Sequence, residues 1–466
     1  MARTEPRAAH DARRTDGCVV TKASYEDLSQ AARTQLKVRV LDSLGCALGA
    51  FEAEPMKLSR AHVEDFGGAA HCTSLAGGLT APDRAAFLNG ALVRYLDFND
   101  SYLAKNETCH PSDNLAPVLA AAEYAKKSGR EFLAALAVAY QVQCCLSDVA
   151  PVRAKGFDHT TQGSYAVAAG VSRALGLDET KTANALAISG TAFNALRVTR
   201  TGALSHWKGL AYPNTAFACT HAAFLAMRGI TGPKEVFEGN KGFMEAIAGR
   251  FEIDWSREDL ERVTRTILKK YNAEIHSQTS IDAILELRKE HGFRAVDIKG
   301  IELETFDVAY HIIGGGEEGD KRIVRTKESA DHSLPYMLAV AVLDGQLMPE
   351  QYHPDRIARP DVQSLLRRVT VQPSRELSQR FPDQMPCRVT MNLQDGRKLV
   401  KEKTDYEGFH TRPMRWEAVV EKFERLSEAY TTRPLRRDII QAVAELDAIP
   451  VAELTGLLAK ARVPTD

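Results

Sequence analysis

Residues 131–146 read EFLAALAVAYQVQCCL, a helical pattern that is apolar nearly all the way round. A helix without a polar stripe has no face to offer to water, so other elements must surround it. That requirement selects a multihelical bundle, and the flanking sequence supplies the partners. LKVRVLDSLGCALGAF places Leu36, Val40, Leu44, Cys46 and Leu48 near helical spacing. NLAPVLAAAEYAKKSG groups Leu115, Val118, Leu119 and Ala122 on one face and ends in Lys-Lys-Ser-Gly, a helix stop. SYAVAAGVSRALGL follows, then DETKTANALAISGTAF with Asp178 as N-cap, then PNTAFACTHAAFLAMRG opening at Pro213. Their many Ala, Gly and Ser residues predict closely packed helices.

The pattern changes beyond about residue 268. IDAILELRKEHG is a helix, and DIKGIELETF alternates Ile301, Leu303 and Thr305 against Glu302 and Glu304, as a half-exposed strand does. SLPYMLAVAVLDG is a helix and RRVTVQPS a strand. In PCRVTMNLQDGRKLVKEK, Cys387, Val389, Met391 and Leu393 alternate with polar residues and Asp395-Gly396 supplies a hairpin turn. Helical segments at 415–429, 435–446 and 451–461 close the chain. At 466 residues the chain is too long for one core. The expected fold class is mainly α, with a large multihelical domain (21–268) and a smaller α+β lid domain with an antiparallel sheet (269–406). The C-terminal helices (407–466) are expected to return to the helical domain, and 1–20 to be a disordered tail. A mitochondrial presequence in that tail is opposed by Glu5, Asp11 and Asp16. The substrate cleft is expected between the two domains.

Bulk properties narrow the function. Net charge is −1, with 26% charged and 44% hydrophobic residues, so no overall basic face points to nucleic acid. No secretory signal is legible, and the longest apolar stretch, 132–140, is short of a membrane span. The eight cysteines, at 18, 46, 72, 109, 144, 145, 219 and 387, form no C-x-x-C pair and match neither zinc nor iron–sulfur spacing. Most lie among Ala, Leu and Val, as reduced core thiols do, and a cytoplasmic location is expected.

The chemistry is concentrated in polar breaks between apolar helices. YLDFNDSYLAKNETCHPSDN (95–114) holds Asp97, Ser101 and His110, an acid, a hydroxyl and a titratable base. Its bland reading is a surface loop with a helix start at Pro111. GFDHTTQGSYAV puts His159 in a loop before a helix, where a capping role is the plain alternative. LRVTRTGALSHWKG gathers Arg197, Arg200, His206 and Lys208, either a solvated basic loop or an anion clamp. ILKKYNAEIHSQTSIDA carries Lys269, Lys270, Tyr271, Glu274 and His276, and the lysines there also suit a helix C-terminus. ESADHSLPYMLAVAVLDG sets Asp331 and His332 just before a helix, with Asp331 or Ser333 as N-cap. IGGGEEGDKR (313–322) looks like a phosphate loop but lacks the P-loop lysine spacing. Its acids Glu317, Glu318 and Asp320 would repel phosphate, so it reads as a turn or lid edge. Together the breaks predict a cationic, titratable cleft for a small polyanion, without a metal-ligand set or nucleotide motif.

The segments YLDFNDSY…HPSDN, GFDHTT, TRTGALSHWKG, ITGPKEVFEGNKG, AEIHSQTSIDA and ADHSLPY…AVLDG, in that order, resemble the MmgE/PrpD family. The likeness runs from about residue 25 to 344 and more weakly to near 450. That family includes 2-methylcitrate dehydratase and cis-aconitate decarboxylase. The resemblance implies a helical domain with an α+β lid, a homodimer, and a lyase without an iron–sulfur cluster. It places Asp97, Ser101, His110, His159, Lys208, Lys269 and His276 at pocket positions. Ser101 stands where the decarboxylase branch has threonine, and Asn272 replaces a proline common in the lid-entry motif. Glu274 replaces a histidine of the decarboxylase branch, whereas the dehydratase branch also shows Ala-Glu-x-His, which favours dehydration.

The expected activity is therefore metal-independent dehydration of 2-methylcitrate or a similar tricarboxylate, with no cofactor. The same-class rival is cis-aconitate decarboxylation, and a catalytically silent metabolite-binding or scaffold protein is the rival from another class. Asp97, His110, His159, Lys208 and His276 are the expected catalytic residues. Ser101, Arg200, Lys269 and Tyr271 are expected to bind substrate. Negative charge builds beside a carboxylate as water or carbon dioxide leaves, so Arg200, Lys208 and Lys269 would hold it by fixed charge. His110 and His159 suit either acid or base, and Asp97 either orients a histidine or acts as base.

Overall fold

The computed structural model describes residues 20–462, apart from 76, 256 and 257. Residues 1–19 of the expected disordered tail, Cys18 among them, lie outside the described residues, and Val20 is buried in the helical core rather than part of a tail. Helices α1 (Gln30–Gly49), α2 (Glu54–Phe66), α3 (Pro82–Tyr95), α4 (Leu115–Tyr124), α5 (Gly129–Val149), α6 (Thr160–Leu175), α7 (Glu179–Ala192) and α8 (Trp207–Met227) build the first part. The all-round apolar segment lies in α5, packed against α4 and α6 within one large apolar core. By length and composition α5 could cross a membrane, yet 89% of its apolar window is buried inside the protein. The small residues explain how closely these helices approach. A Cβ at Gly170 of α6 would stand 2.7 Å from Val118 Cγ2 and 2.8 Å from Ala139 Cβ.

Asp178 caps α7 as expected, its carboxylate accepting the Lys181 N–H at 2.9 Å. The start of α8 differs: it begins at Trp207 and carries Pro213 in its interior. A proline forfeits only its own N–H bond and crowds the carbonyl four residues back, here that of Gly209 in the first turn, so the helix survives it.

The second core belongs to the lid. Two small ribbons in the helical part, β1 (Cys72–Thr73) with β2 (Leu79–Thr80) and β3 (Tyr102–Leu103) with β4 (Thr108–Cys109), precede its sheet. That sheet runs in the order β6 (Val369–Pro373), β5 (Ile298–Thr305), β7 (Cys387–Leu393), β8 (Lys398–Lys403). Leu303 pairs with Val389 and Ile301 with Met391, which puts their apolar side chains on one buried face against α9 (Gln278–His291) and α10 (Leu334–Asp344). The sheet is mixed, because β5 and β6 are parallel. A parallel pair needs a crossover, and the intervening chain supplies it through α10 and α11 (Pro360–Leu366).

The chain then forms α12 (Trp416–Ser427), α13 (Arg433–Ala444) and α14 (Val451–Leu458). Val419, Phe423, Ile439, Val443, Leu454 and Leu458 from these helices join the apolar core of α1 and α5. The polar break after α3 is stitched to the entrance of the lid, because Ser101 and Ile267 exchange main-chain hydrogen bonds of 2.9 and 2.8 Å.

Candidate active site

Asp97, two residues past the end of α3, adopts φ +57°, a left-handed backbone uncommon for any residue but glycine. Its neighbours hold it there. Arg94 donates to Oδ1 at 2.8 Å, Lys269 donates to Oδ1 and to the main-chain oxygen at 2.6 Å each, and Lys208 Nζ lies 3.1 Å from Oδ2. Burial alone would raise the Asp97 carboxyl, but Arg94, Lys269 and Lys208 hold it well below the usual carboxylate range. Asp97 is thus a fixed anion with a set direction.

Lys208 also donates to Asp331 Oδ1 at 2.8 Å and lies 3.0 Å from His332 Nδ1. Asp97, Asp331 and His332 bring ligand atoms within 4.8 Å of one another, a spacing that suits a metal ion. The Lys208 ammonium already contacts all three groups, so the donor set is matched to a lysine cation and a metal would have to displace it.

Two imidazoles, His110 and His276, are anchored by hydrogen bonds through Nδ1, and a third, His159, lies beside a carboxylate. His110 Nδ1 lies 2.8 Å from the Asp100 carbonyl, which can only accept, so the ring proton sits on Nδ1 and Nε2 keeps its lone pair. Ser101 Oγ lies 3.1 Å from the same Nδ1. His276 Nδ1 bonds Glu274 Oε1 at 2.7 Å, while Glu274 Oε2 accepts the His276 main-chain N–H at 2.8 Å. His159 Nδ1 is 3.3 Å from Asp158 Oδ1. The Nε2 atoms of His159 and His276 are buried without a hydrogen-bond partner in the protein. The rings of His110 and His159 meet edge to face, with centroids 5.4 Å apart.

Electrostatics sort these groups. Burial, reinforced by Arg94 and Lys269, holds His110 well below its ordinary value. Burial pushes His159 down to about 3 against the pull of Asp158. Burial would raise Glu274, but His276, His332 and Lys269 bring it down to about 2. His110 and His159 are therefore neutral bases at neutral pH, and Glu274 is ionised behind His276.

Asp97, His110, His159, Arg200, Lys269 and His276 line one cavity, together with Arg94, Glu274 and His332. Ser101 stands behind His110, and Lys208 lines a smaller adjoining cavity with His206. Tyr271 does not face the cavity: its hydroxyl donates to Asp282, in a polar cluster that also includes Lys270 and Lys403. The expected free cation clamp also needs correction. Arg200 is paired with Asp158 at 2.7 Å, Lys208 with Asp331 at 2.8 Å and Lys269 with Asp97 at 2.6 Å.

Arg94, Glu274 and His332 were not among the expected site residues. Arg94 lies one helical turn before Asp97, a spacing that could have signalled the pair. Ser333 takes the N-cap of α10 by accepting the Tyr336 N–H, which leaves Asp331 and His332 for the site.

This site is assembled from distant parts of the chain. Family models match the chain as the MmgE/PrpD N-terminal domain over residues 18–256 and the MmgE/PrpD C-terminal domain over 271–448. The chain belongs to the MmgE/PrpD family. A 2-methylcitrate dehydratase of Cupriavidus necator is 30% identical over 411 residues, covering 81% of this chain and 82% of that protein. A 2-methylcitrate dehydratase of Salmonella typhimurium is 27% identical over 475 residues, covering 93% and 94%. A cis-aconitate decarboxylase of Mus musculus is 28% identical over 402 residues, covering 81% and 78%. The site of this MmgE/PrpD chain draws on both matched regions. Asp97, His110, His159 and Lys208 come from the first, and Glu274, His276, Asp331 and His332 from the second. Lys269 lies in the short connection between them.

Proposed function

We propose that the protein is a hydro-lyase that removes water from 2-methylcitrate or a closely similar hydroxytricarboxylate, without a metal. The observation that carries this reading is that His110 and His276, both hydrogen-bonded through Nδ1, line one shared cavity. Elimination needs a base for a proton on carbon beside a carboxylate and an acid for the departing hydroxyl. His110, neutral and with its lone pair on Nε2, is the base. His276, backed by the Glu274 carboxylate, is the acid that protonates the leaving oxygen.

The charge that builds on the substrate carboxylate faces the wall around Asp97. There Asp97, Asp331 and Asp113 stand against Arg94, Lys208, Lys269 and Lys327, three carboxyl groups against four cations. Such a wall stabilises an enediolate-like transition state by fixed charge, the role a Lewis acid plays elsewhere. The Glu274–His276 pair can deliver a proton to a departing hydroxyl in dehydration or to carbon after loss of carbon dioxide, so the product test below separates the two reactions.

The test is product identification from 2-methylcitrate, citrate and cis-aconitate, before and after dialysis against EDTA. Water elimination that survives chelation is the expected result. Activity restored only by added metal would overturn the mechanism. Carbon dioxide release from cis-aconitate alone would reassign the protein to decarboxylation.

A further inference from the structure

The inner cavity adjoins a wider vestibule, and the two share Glu107, Thr108, Arg153, Arg197 and Glu318. At that throat, Arg197 Nη2 donates to Glu318 Oε1 at 2.9 Å and Arg153 Nη2 lies 3.5 Å from the same oxygen. The Glu318 side chain is only 5% exposed, so this carboxylate is seated rather than lying on a surface.

The two sides of the contact are built differently. The arginines stand on fixed backbone: the Arg197 N–H donates to the Gly156 carbonyl at 2.9 Å, and Glu107 accepts the N–H groups of Val152 and Arg153 at 3.1 and 3.0 Å. Glu318 belongs to the glycine-rich loop of the lid, where Gly315 and Gly319 hold φ of +106° and +89°. Two guanidinium groups converging on one carboxylate oxygen, with Arg197 also 3.8 Å from Asp158, are a recognition element for carboxylates in general. Here a side chain of the protein fills it.

We propose that Arg153 and Arg197 form an entrance-side carboxylate subsite, and that Glu318 occupies it as an internal competitor until a ligand carboxylate displaces it. This rests on the tricarboxylate reading above and adds a basis for selectivity. A monocarboxylate would have to break the Glu318 contact with nothing else to hold it. A tricarboxylate also engages the inner wall at Asp97 and can therefore win the exchange, releasing Glu318 to the vestibule.

The experiment is calorimetric binding of tricarballylate, a tricarboxylate with no hydroxyl to eliminate, so that affinity is read apart from turnover. Glu318→Gln should tighten binding about tenfold if Glu318 holds the subsite in roughly nine molecules of ten. Glu317→Gln, which removes the same charge from the exposed neighbouring residue, should change it by less than about twofold in salt. Arg197→Ala should weaken binding, and Glu318→Gln should have no further effect once Arg153 and Arg197 are both alanine. The proposal is overturned if E318Q matches E317Q, if it weakens binding, or if none of the proteins binds tricarballylate. Tightening by E318Q in a protein that dehydrates no tricarboxylate would remove the lyase assignment and leave the subsite standing.

Discussion

His159 and Glu274 both titrate well below their ordinary values, but burial acts on them in opposite senses. For His159 burial is the cause, because the imidazolium loses its hydration, and the ring falls to about 3 from 6.5. For Glu274 burial is opposed and outweighed by His276, His332 and Lys269, and the carboxyl falls to about 2 from 4.5. The linkage for His159 follows directly. Below 6.5 the unfolded chain binds a proton at this ring that the folded protein refuses, so stability is lost as pH falls from 6.5 toward about 3. The stability margin of wild type over His159→Gln should therefore be constant above pH 6.5 and shrink below it, measured by urea unfolding across the pH series. A margin independent of pH would show that His159 is not held neutral. In turnover, His110→Gln should lower kcat by about 10²-fold or more while tricarballylate affinity is kept. These histidines and Asp97 were legible because polar breaks between apolar helices expose them to a sequence reading. Arg94 was not, since a basic residue on a helix ordinarily faces solvent. Tyr271 was misplaced because nearness to Lys269 in sequence does not fix which way a side chain points, and its hydroxyl found Asp282 instead.

Elements succeeded or failed by the same physics. The β7–β8 hairpin was readable because period-two alternation and Asp395-Gly396 agree with each other. The parallel pairing of β5 with β6 was not, since alternation says which face is buried and nothing about the partner strand. The role of α12 was also hidden. Its Lys422 is buried, 2.7 Å from Asp42 of α1, and donates to the main-chain oxygens of Phe98 and Lys269 at 2.8 and 3.0 Å. The same ammonium sits 3.6 Å from the centre of the Phe98 ring. One side chain of α12 thus ties down the residue after Asp97 and the lysine that grips Asp97. Lys422→Met should cost about 3–5 kcal/mol, because it strands the buried Asp42 carboxylate. The double variant with Asp42→Asn should recover a large part of that in urea unfolding. If recovery of stability leaves kcat depressed, Lys422 positions the site; if kcat recovers in step with stability, its role is structural alone.

At the scale of the whole molecule, the last helices close the core that the first helices open, and the closure depends on one glycine. The N-terminus of α5 meets the segment leading into α14 along a seam. There Gly129 donates its N–H to the Ile449 carbonyl at 2.8 Å, and Val451 donates to the Lys127 carbonyl at 3.0 Å. A Cβ on Gly129 would lie 1.6 Å from the Leu446 carbonyl oxygen and 2.6 Å from its carbon. Both atoms are backbone and the Cβ direction is fixed by the helix, so no rotamer relieves the clash and one side of the seam must move. Gly129→Ala should therefore destabilise the protein by about 3 kcal/mol, at the upper end of the overpacking range. It should also open the bonds after Arg436 and Arg437 to trypsin, since the 446–448 turn that joins α13 to α14 loses its seat on α5. Gly456, in the middle of α14, has open space where a Cβ would go. Gly456→Ala should be neutral or stabilise by up to about 1 kcal/mol through helix propensity. Because α13 packs on α12, whose Lys422 holds the Lys269 carbonyl, Gly129→Ala should also reduce turnover, and Gly456→Ala should not. Wild-type stability and protease resistance in Gly129→Ala would show that the core closes without this seam.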